Sequence, residues 1–251
     1  MSATDLSAAA GWHKAKTSRI ESAKQAPSED DIRAWCRVCG AEHEVPDLIA
    51  ASRAADSMYV EYRRVNRGGL RRLQEPASLV RTRWFKSYCP AVVPGFVQTP
   101  GYASALLSSI AAFREIPDDT DQAAAARVNR NRILRDGNHR FVLLIEEEVL
   151  RHRIGSPDVM AAQLAYLAES MQFPAVTLGV VPFTAERPMW PLEAFTVFDD
   201  ERVIIELLSA QVTVTAPSEI TLYVRAFERL ARLAVYGTAA RALIEAAASY
   251  G

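Results

Sequence analysis

From Phe141 onward this 251-residue sequence changes character, and that change limits its fold more than any other feature. Phe141 to Glu147, Val176 to Phe183, Ala194 to Asp199 and Arg202 to Leu208 are rich in β-branched and aromatic residues and read as strands. Asp199-Asp200-Glu201 reads as the hairpin turn between the last two, and Gln211 to Thr215 as a fifth strand. Ahead of Phe141 the pattern is that of short helices. The expected class is α+β: a small all-helical N-terminal domain over residues 1–64, then a larger domain over residues 65–251 in which helices surround a mostly antiparallel sheet.

Stop and start signals divide the front of the chain. Thr4 to Ala10 is a helix closed by Gly11, and His13 to Ser22 is a second. A third opens at Pro27-Ser28-Glu29-Asp30-Asp31, where Ser28 can cap free N–H groups and Asp31 can reach back. It carries Ile32, Trp35, Cys36 and Cys39 on one face and stops at Gly40. Val45 to about Arg64 reads as a fourth helix, ended by Gly68-Gly69, and Arg71 to Ser87 as a fifth. The loop from Val93 to Ala103 holds two prolines and two glycines, which makes it a shaped junction, and Thr99-Pro100 then starts a helix. Further helices are expected over Thr120 to Leu134, Pro157 to Met171, Ser218 to Tyr236 and Thr238 to Ser249.

Composition narrows the function classes. Apolar residues make up 49% of the chain, enough to form a core. Met1 to Gly11 has no apolar run behind a basic region, no stretch approaches a membrane span, and three cysteines fit a reducing, cytoplasmic setting. Through Lys86 there are 15 Lys and Arg against 11 Asp and Glu, and beyond it 14 against 19. A basic front suits a polyanion, and an acidic back suits another kind of partner.

The informative segment runs from Leu6 to Glu21. A helix of small residues ends at Gly11, and a second begins a few residues later with polar and basic residues and with Ile20 turned inward. That is helix-turn-helix spacing, in which the second helix enters the major groove. Lys14, Ala15, Ser18 and Arg19 share the face that would meet DNA. Arg19 can grip a guanine in bidentate fashion, and Lys14 or Lys16 can take a base or a phosphate. His13 can reach a phosphate, and Lys24 is expected to bind backbone without regard to sequence.

Two parts of the sequence resemble a known arrangement. Ser18-Arg19-Ile20-Glu21, Pro27-Ser28 and Trp35 to Ala41 are similar to the second half of an Xre-type, phage-repressor-like helix-turn-helix. Arg83-Trp84-Phe85, Val93 to Ala103, Glu148 to Arg151 and Gln163-Leu164 resemble a large C-terminal domain of unknown function. In actinobacteria that domain follows such a helix-turn-helix in antitoxin-like transcriptional regulators. Xre-type domains open with an additional helix, whereas only Met1 to Thr4 precede the first helix here. They also carry a small capping residue where His13 stands. The resemblance implies double-stranded DNA as ligand, a homodimer, and a small protein partner encoded nearby.

Other candidates carry less. Cys36, Cys39 and His43 provide three ligands where a structural zinc needs four, so the cysteines read as core and no metal or other cofactor is expected. Glu146-Glu147-Glu148 sits where a strand gives way to a helix, and carboxylates there suit the positive helix start. No nucleophile elbow, zincin helix or phosphate loop is present, so no catalytic residue is expected and the chain does not read as an enzyme. Arg63, Arg64, Arg67, Arg71, Arg72, Arg81 and Arg83 can contact DNA backbone or pair with the acidic second domain. Met189, Trp190 and Phe195, beside a proline-rich connection, are the candidate partner surface. The expected function is a DNA-binding, antitoxin-like regulator. The alternative is a partner- or ligand-binding module that no longer binds DNA.

Overall fold

The computed structural model describes residues 1–54, 59–61, 70, 79, 81–116, 119–135 and 137–249. Its front is helical: α1 (Ala3–Ala10), α2 (Lys14–Glu21), α3 (Glu29–Cys39) and α4 (Val45–Ala54). The local signals act as read. Ser28 accepts from the Asp31 N–H while the Asp31 carboxylate accepts from the Ser28 N–H, and Gly40 ends α3 at φ 66°. Ile32, Cys36 and Ile49 form a small core with Val45 against it. Beyond α4, Tyr59–Glu61 is a strand, β1.

The larger unit is built on one sheet. Its strands are β1, β2 (Trp84–Cys89), β3 (Arg140–Glu146), β4 (Val176–Val181), β5 (Phe195–Phe198), β6 (Arg202–Glu206) and β7 (Ala210–Val214), in the order β1-β7-β6-β5-β2-β3-β4. The pairings of β2 with β3 and of β3 with β4 are parallel, and the other four are antiparallel. Parallel neighbours need a crossover. α5 (Pro100–Arg114) and α6 (Thr120–Arg130) provide the first, and α7 (Pro157–Ser170) the second. β5 and β6 are joined tightly by the three residues Asp199 to Glu201, of which Asp199 and Asp200 adopt positive φ, 52° and 57°, a conformation that suits a tight hairpin turn.

Strand alternation sorts the sheet into two faces. Phe85, Phe141, Leu143 and Ile145 point to the side covered by α7 and by α9 (Gly237–Ala248), with Phe96, Val97 and Tyr102 of the shaped junction buried among them. Tyr88, Leu144, Phe195, Val197 and Val203 point to the other side, against Ile220, Phe227 and Leu230 of α8 (Pro217–Ala231). The architecture is α+β, a helical region followed by a larger domain around a mixed sheet.

Two expectations need correction. The helix expected over Arg71 to Ser87 is contradicted at its end, where Trp84 to Cys89 pairs on both sides as β2. Residues 71–78 and 80 lie outside the described residues, as do Arg63, Arg64 and Arg67 of the basic stretch. The fourth helix is likewise shorter than expected, because Tyr59, Val60 and Glu61 pair with β7.

Candidate nucleic-acid interface

The turn between α1 and α2 is fixed by backbone geometry. Gly11 takes the left-handed conformation at φ 69°, its N–H donates to Ala8, and the Trp12 N–H donates to Ser7 at 2.8 Å. These bonds satisfy the last carbonyls of α1. His13 then caps α2, its Nδ1 accepting from the Ala15 N–H at 3.2 Å. A histidine thus takes the place of the small residue usual there. The buried hydroxyls of Ser7 and Thr17 meet at 2.8 Å and tie the two helices together. Trp12 meets Trp35 edge to face at 5.8 Å.

Most of the expected DNA-facing residues are open to solvent. His13, Lys14, Ala15, Ser18 and Arg19 are exposed, as is Lys24 in the turn that follows. The Arg19 Nε donates to Gln25 Oε1 at 2.9 Å, which holds the guanidinium over the C-terminal end of α2. Lys16 departs from the expectation. It ion-pairs with Asp31 of α3, and its ammonium lies 4.8 Å from the centre of the Trp12 ring. Lys16 therefore braces α2 against α3, and Ala15 and Ser18 flank it on the open side. The buried residue of α2 is Thr17, while Ile20 is only half-buried.

In the sequence Asp31 reads only as a helix cap. Burial raises its carboxyl, but hydrogen bonds from Lys16 and from Ser28 outweigh burial and hold it below the 3.8 of an ordinary aspartate. A pKa depressed by folding gives stability that is fully present above the unfolded value and is lost as the pH falls through the folded one. Thermal melts between about pH 6 and pH 3 should therefore show the stability difference between wild type and Asp31→Asn shrinking as acid is added. A difference that stayed constant over that range would show that the ion pair contributes nothing.

A capping contact links the second domain to this helical set. α8 has Ala216 at its N-cap, with no side-chain acceptor of its own. Asp47 of α4 accepts from the Ser218 N–H at 3.1 Å instead. This carboxylate sits at the positive end of α8.

The expected partner surface is only partly at the surface. Trp190 is 69% exposed, but Met189 and Phe195 are buried against Tyr88 and Phe227. Phe195 lies on the inward face of β5 and Met189 is buried in the same core cluster, so neither presents a contact face. Residues 182–194 are pinned at both ends. The Phe183 N–H donates to Glu147 Oε2 at 2.9 Å, Arg187 ion-pairs with buried Glu146, and Tyr223 donates to Glu193 at 2.9 Å. Tyr88 donates to the same Glu146 at 2.7 Å. The glutamates expected to serve a helix start thus anchor this loop. No sequence signal pointed to that role, because their partners lie far away along the chain.

Cys36 is turned into the core, and burial pushes its thiol up, whereas Cys39 is exposed. The expectation that both are core residues holds for Cys36 alone. Among the described residues no group of three His, Cys, Asp or Glu is placed to hold a metal ion, and no helix is long and apolar enough to cross a membrane.

Residues 1–48 match the model of a helix-turn-helix domain. Residues 81–246, about two thirds of the chain, match that of a family described as a domain of unknown function, DUF5753. No curated protein matches.

Proposed function

We propose that this chain, which belongs to the DUF5753 family and carries a helix-turn-helix domain ahead of it, is a DNA-binding transcriptional regulator. The observation that carries this reading is the exposed face of α2, where Lys14, Ala15, Ser18 and Arg19 stand clear of the packing that holds the helix. A short helix braced from behind and open at its first turns is what major-groove readout needs. The protein acts in the cytoplasm, as a homodimer because one such helix spans few base pairs, and without catalysis. The second domain binds a small protein encoded nearby, as in antitoxin-like Xre-type regulators of actinobacteria. Trp190 on its pinned loop is the anchor for that contact.

Two measurements test the halves of this reading. With an operator selected from random duplexes, Arg19→Ala is expected to weaken specific binding by roughly 1–3 kcal/mol and to relax preference at one base pair. Lys24→Ala should weaken all sequences alike and flatten the salt dependence. Equal effects of the two changes on operator and random DNA would sink the assignment of α2. Selection that enriched no sequence would favour a module that has lost DNA binding. On the second domain, Trp190→Ala should leave the fold and DNA affinity intact while weakening partner association by about 2 kcal/mol. The check is a pull-down of the neighbouring gene product, with light-scattering mass measured alongside. A mutant that keeps every partner would move the interface elsewhere.

A further inference from the structure

The turn after α2 folds back onto the helix it ends. The Ser22 N–H and hydroxyl both donate to the Ser18 carbonyl, at 3.0 and 2.7 Å. The Ala23 N–H donates to Ile20, and the Lys24 and Gln25 N–H groups both donate to the Arg19 carbonyl, at 2.8 and 3.1 Å. So sharp a reversal puts Ala23 in the left-handed region at φ 53°, a conformation that alanine keeps only where its surroundings impose it. The chain then enters α3 through the Ser28–Asp31 capping box. Gln25 therefore stands on a short segment fixed at both ends, and it is half-buried while Ser22, Ala23, Lys24 and Ala26 are exposed. Its side chain returns to α2, where Oε1 accepts from the Arg19 Nε at 2.9 Å.

We infer that Gln25 is a positioning residue for base readout, holding the Arg19 guanidinium in the orientation in which Nη1 and Nη2 meet a guanine. The inference rests on the reading of α2 as the recognition helix and deepens it. An arginine on an open helix surface has many rotamers, and ordering it on DNA costs entropy that lowers affinity and discrimination together. The bond to Gln25 does part of that ordering before DNA arrives. It engages Nε, whereas the Nη1–Nη2 edge presents two parallel donors that match guanine O6 and N7. The chemistry of the acceptor matters as well. A carboxylate at this position would hold the guanidinium but would offset its charge and repel phosphate, whereas a neutral amide leaves the positive charge to act on the DNA. Two adjacent residues of one turn thus take different roles. Lys24 supplies affinity without preference, and Gln25 supplies preference through Arg19.

The test is fluorescence anisotropy of the full chain on the selected operator and on its single-base-pair variants. Wild type is compared with Arg19→Ala, Gln25→Ala, Gln25→Glu and the Arg19→Ala/Gln25→Ala double variant. The base pair at which Arg19→Ala relaxes the preference is the one that Arg19 reads. Gln25→Ala is expected to lower discrimination at that pair about fivefold and to leave the other positions unchanged. In the Arg19→Ala background it should change nothing further, because it acts through that side chain. Gln25→Glu keeps an acceptor for Nε, so it should keep the preference at that pair while weakening all sequences alike. Should Gln25→Ala fail to fold, Gln25→Met, which keeps the stem without the amide, takes its place. The inference is overturned if discrimination is unchanged in Gln25→Ala while Arg19→Ala relaxes it. It is equally overturned if discrimination falls at every position, which marks a structural role, if the double variant loses more than Arg19→Ala, or if Gln25→Glu loses as much preference as Gln25→Ala. Each of these results leaves the α2 reading standing, whereas Arg19→Ala without effect at any base pair removes both.

Discussion

Replacing Glu146 with alanine is expected to lower the unfolding free energy by about 3 kcal/mol and to loosen the loop that carries Trp190. Glu146 is 6% exposed and serves two donors at once, the Arg187 guanidinium and the Tyr88 hydroxyl. Removing it strands a partly buried cation and leaves a buried phenol without its acceptor, and both are more costly than the net value of the bonds themselves. Arg187 keeps some contact with water, its side chain being 26% exposed, so the effect belongs at the lower end of the range for broken buried pairs. The Tyr88 hydroxyl is held well above the ordinary tyrosine range, by burial first and then by the Glu146 carboxylate. It therefore remains a donor throughout physiological pH. Glu146→Gln retains an acceptor for Tyr88 and is expected to lose less. Urea denaturation compares the three proteins, and hydrogen exchange reads the loop directly. A cost below about 1 kcal/mol for Glu146→Ala would mean that the cluster is not what fixes Trp190.

How far the sequence revealed the fold depended on where each signal had its partner. The start and stop of α3 were legible because Ser28, Asp31 and Gly40 act on backbone within a turn of themselves. The β5–β6 hairpin was legible for the same reason: two aspartates that accept positive φ sit between alternating apolar residues. Side chains satisfied at a distance were not legible. Lys16 reads as a groove residue until Asp31 and the Trp12 ring are brought beside it by packing. Glu146 and Glu147 read as helix-start carboxylates until the loop after β4 folds over them. The parallel pairs were also hidden, because a crossover through α5 and α6 leaves no local mark of which strand it returns to.

The strand that went unread, β2, is where substitution should do most harm. Its six residues contain one β-strand alternation broken by Lys86 and Ser87, too short and too polar to stand out from the helical pattern before it. The tertiary setting decides the matter. β2 is paired with β3 on one side and β5 on the other, so it joins the parallel part of the sheet to the antiparallel part. Phe85 is fully buried at that junction. It stacks on Phe141 at 4.6 Å and meets Phe96 and Phe198 edge to face at 5.2 and 5.6 Å. Phe85→Ala is expected to cost about 4 kcal/mol, through lost burial and a cavity that three rings cannot all move to fill. Phe85→Leu should recover about half of that, because it restores volume without the ring contacts. The exposed Trp84 next to it provides the control: Trp84→Ala should shift the denaturation midpoint little, since the residue is 51% exposed. Urea midpoints with unchanged slope for all three variants would test the prediction in one series. A cost for Phe85→Ala no larger than that of Trp84→Ala would mean that β2 is not the strand on which both halves of the sheet depend.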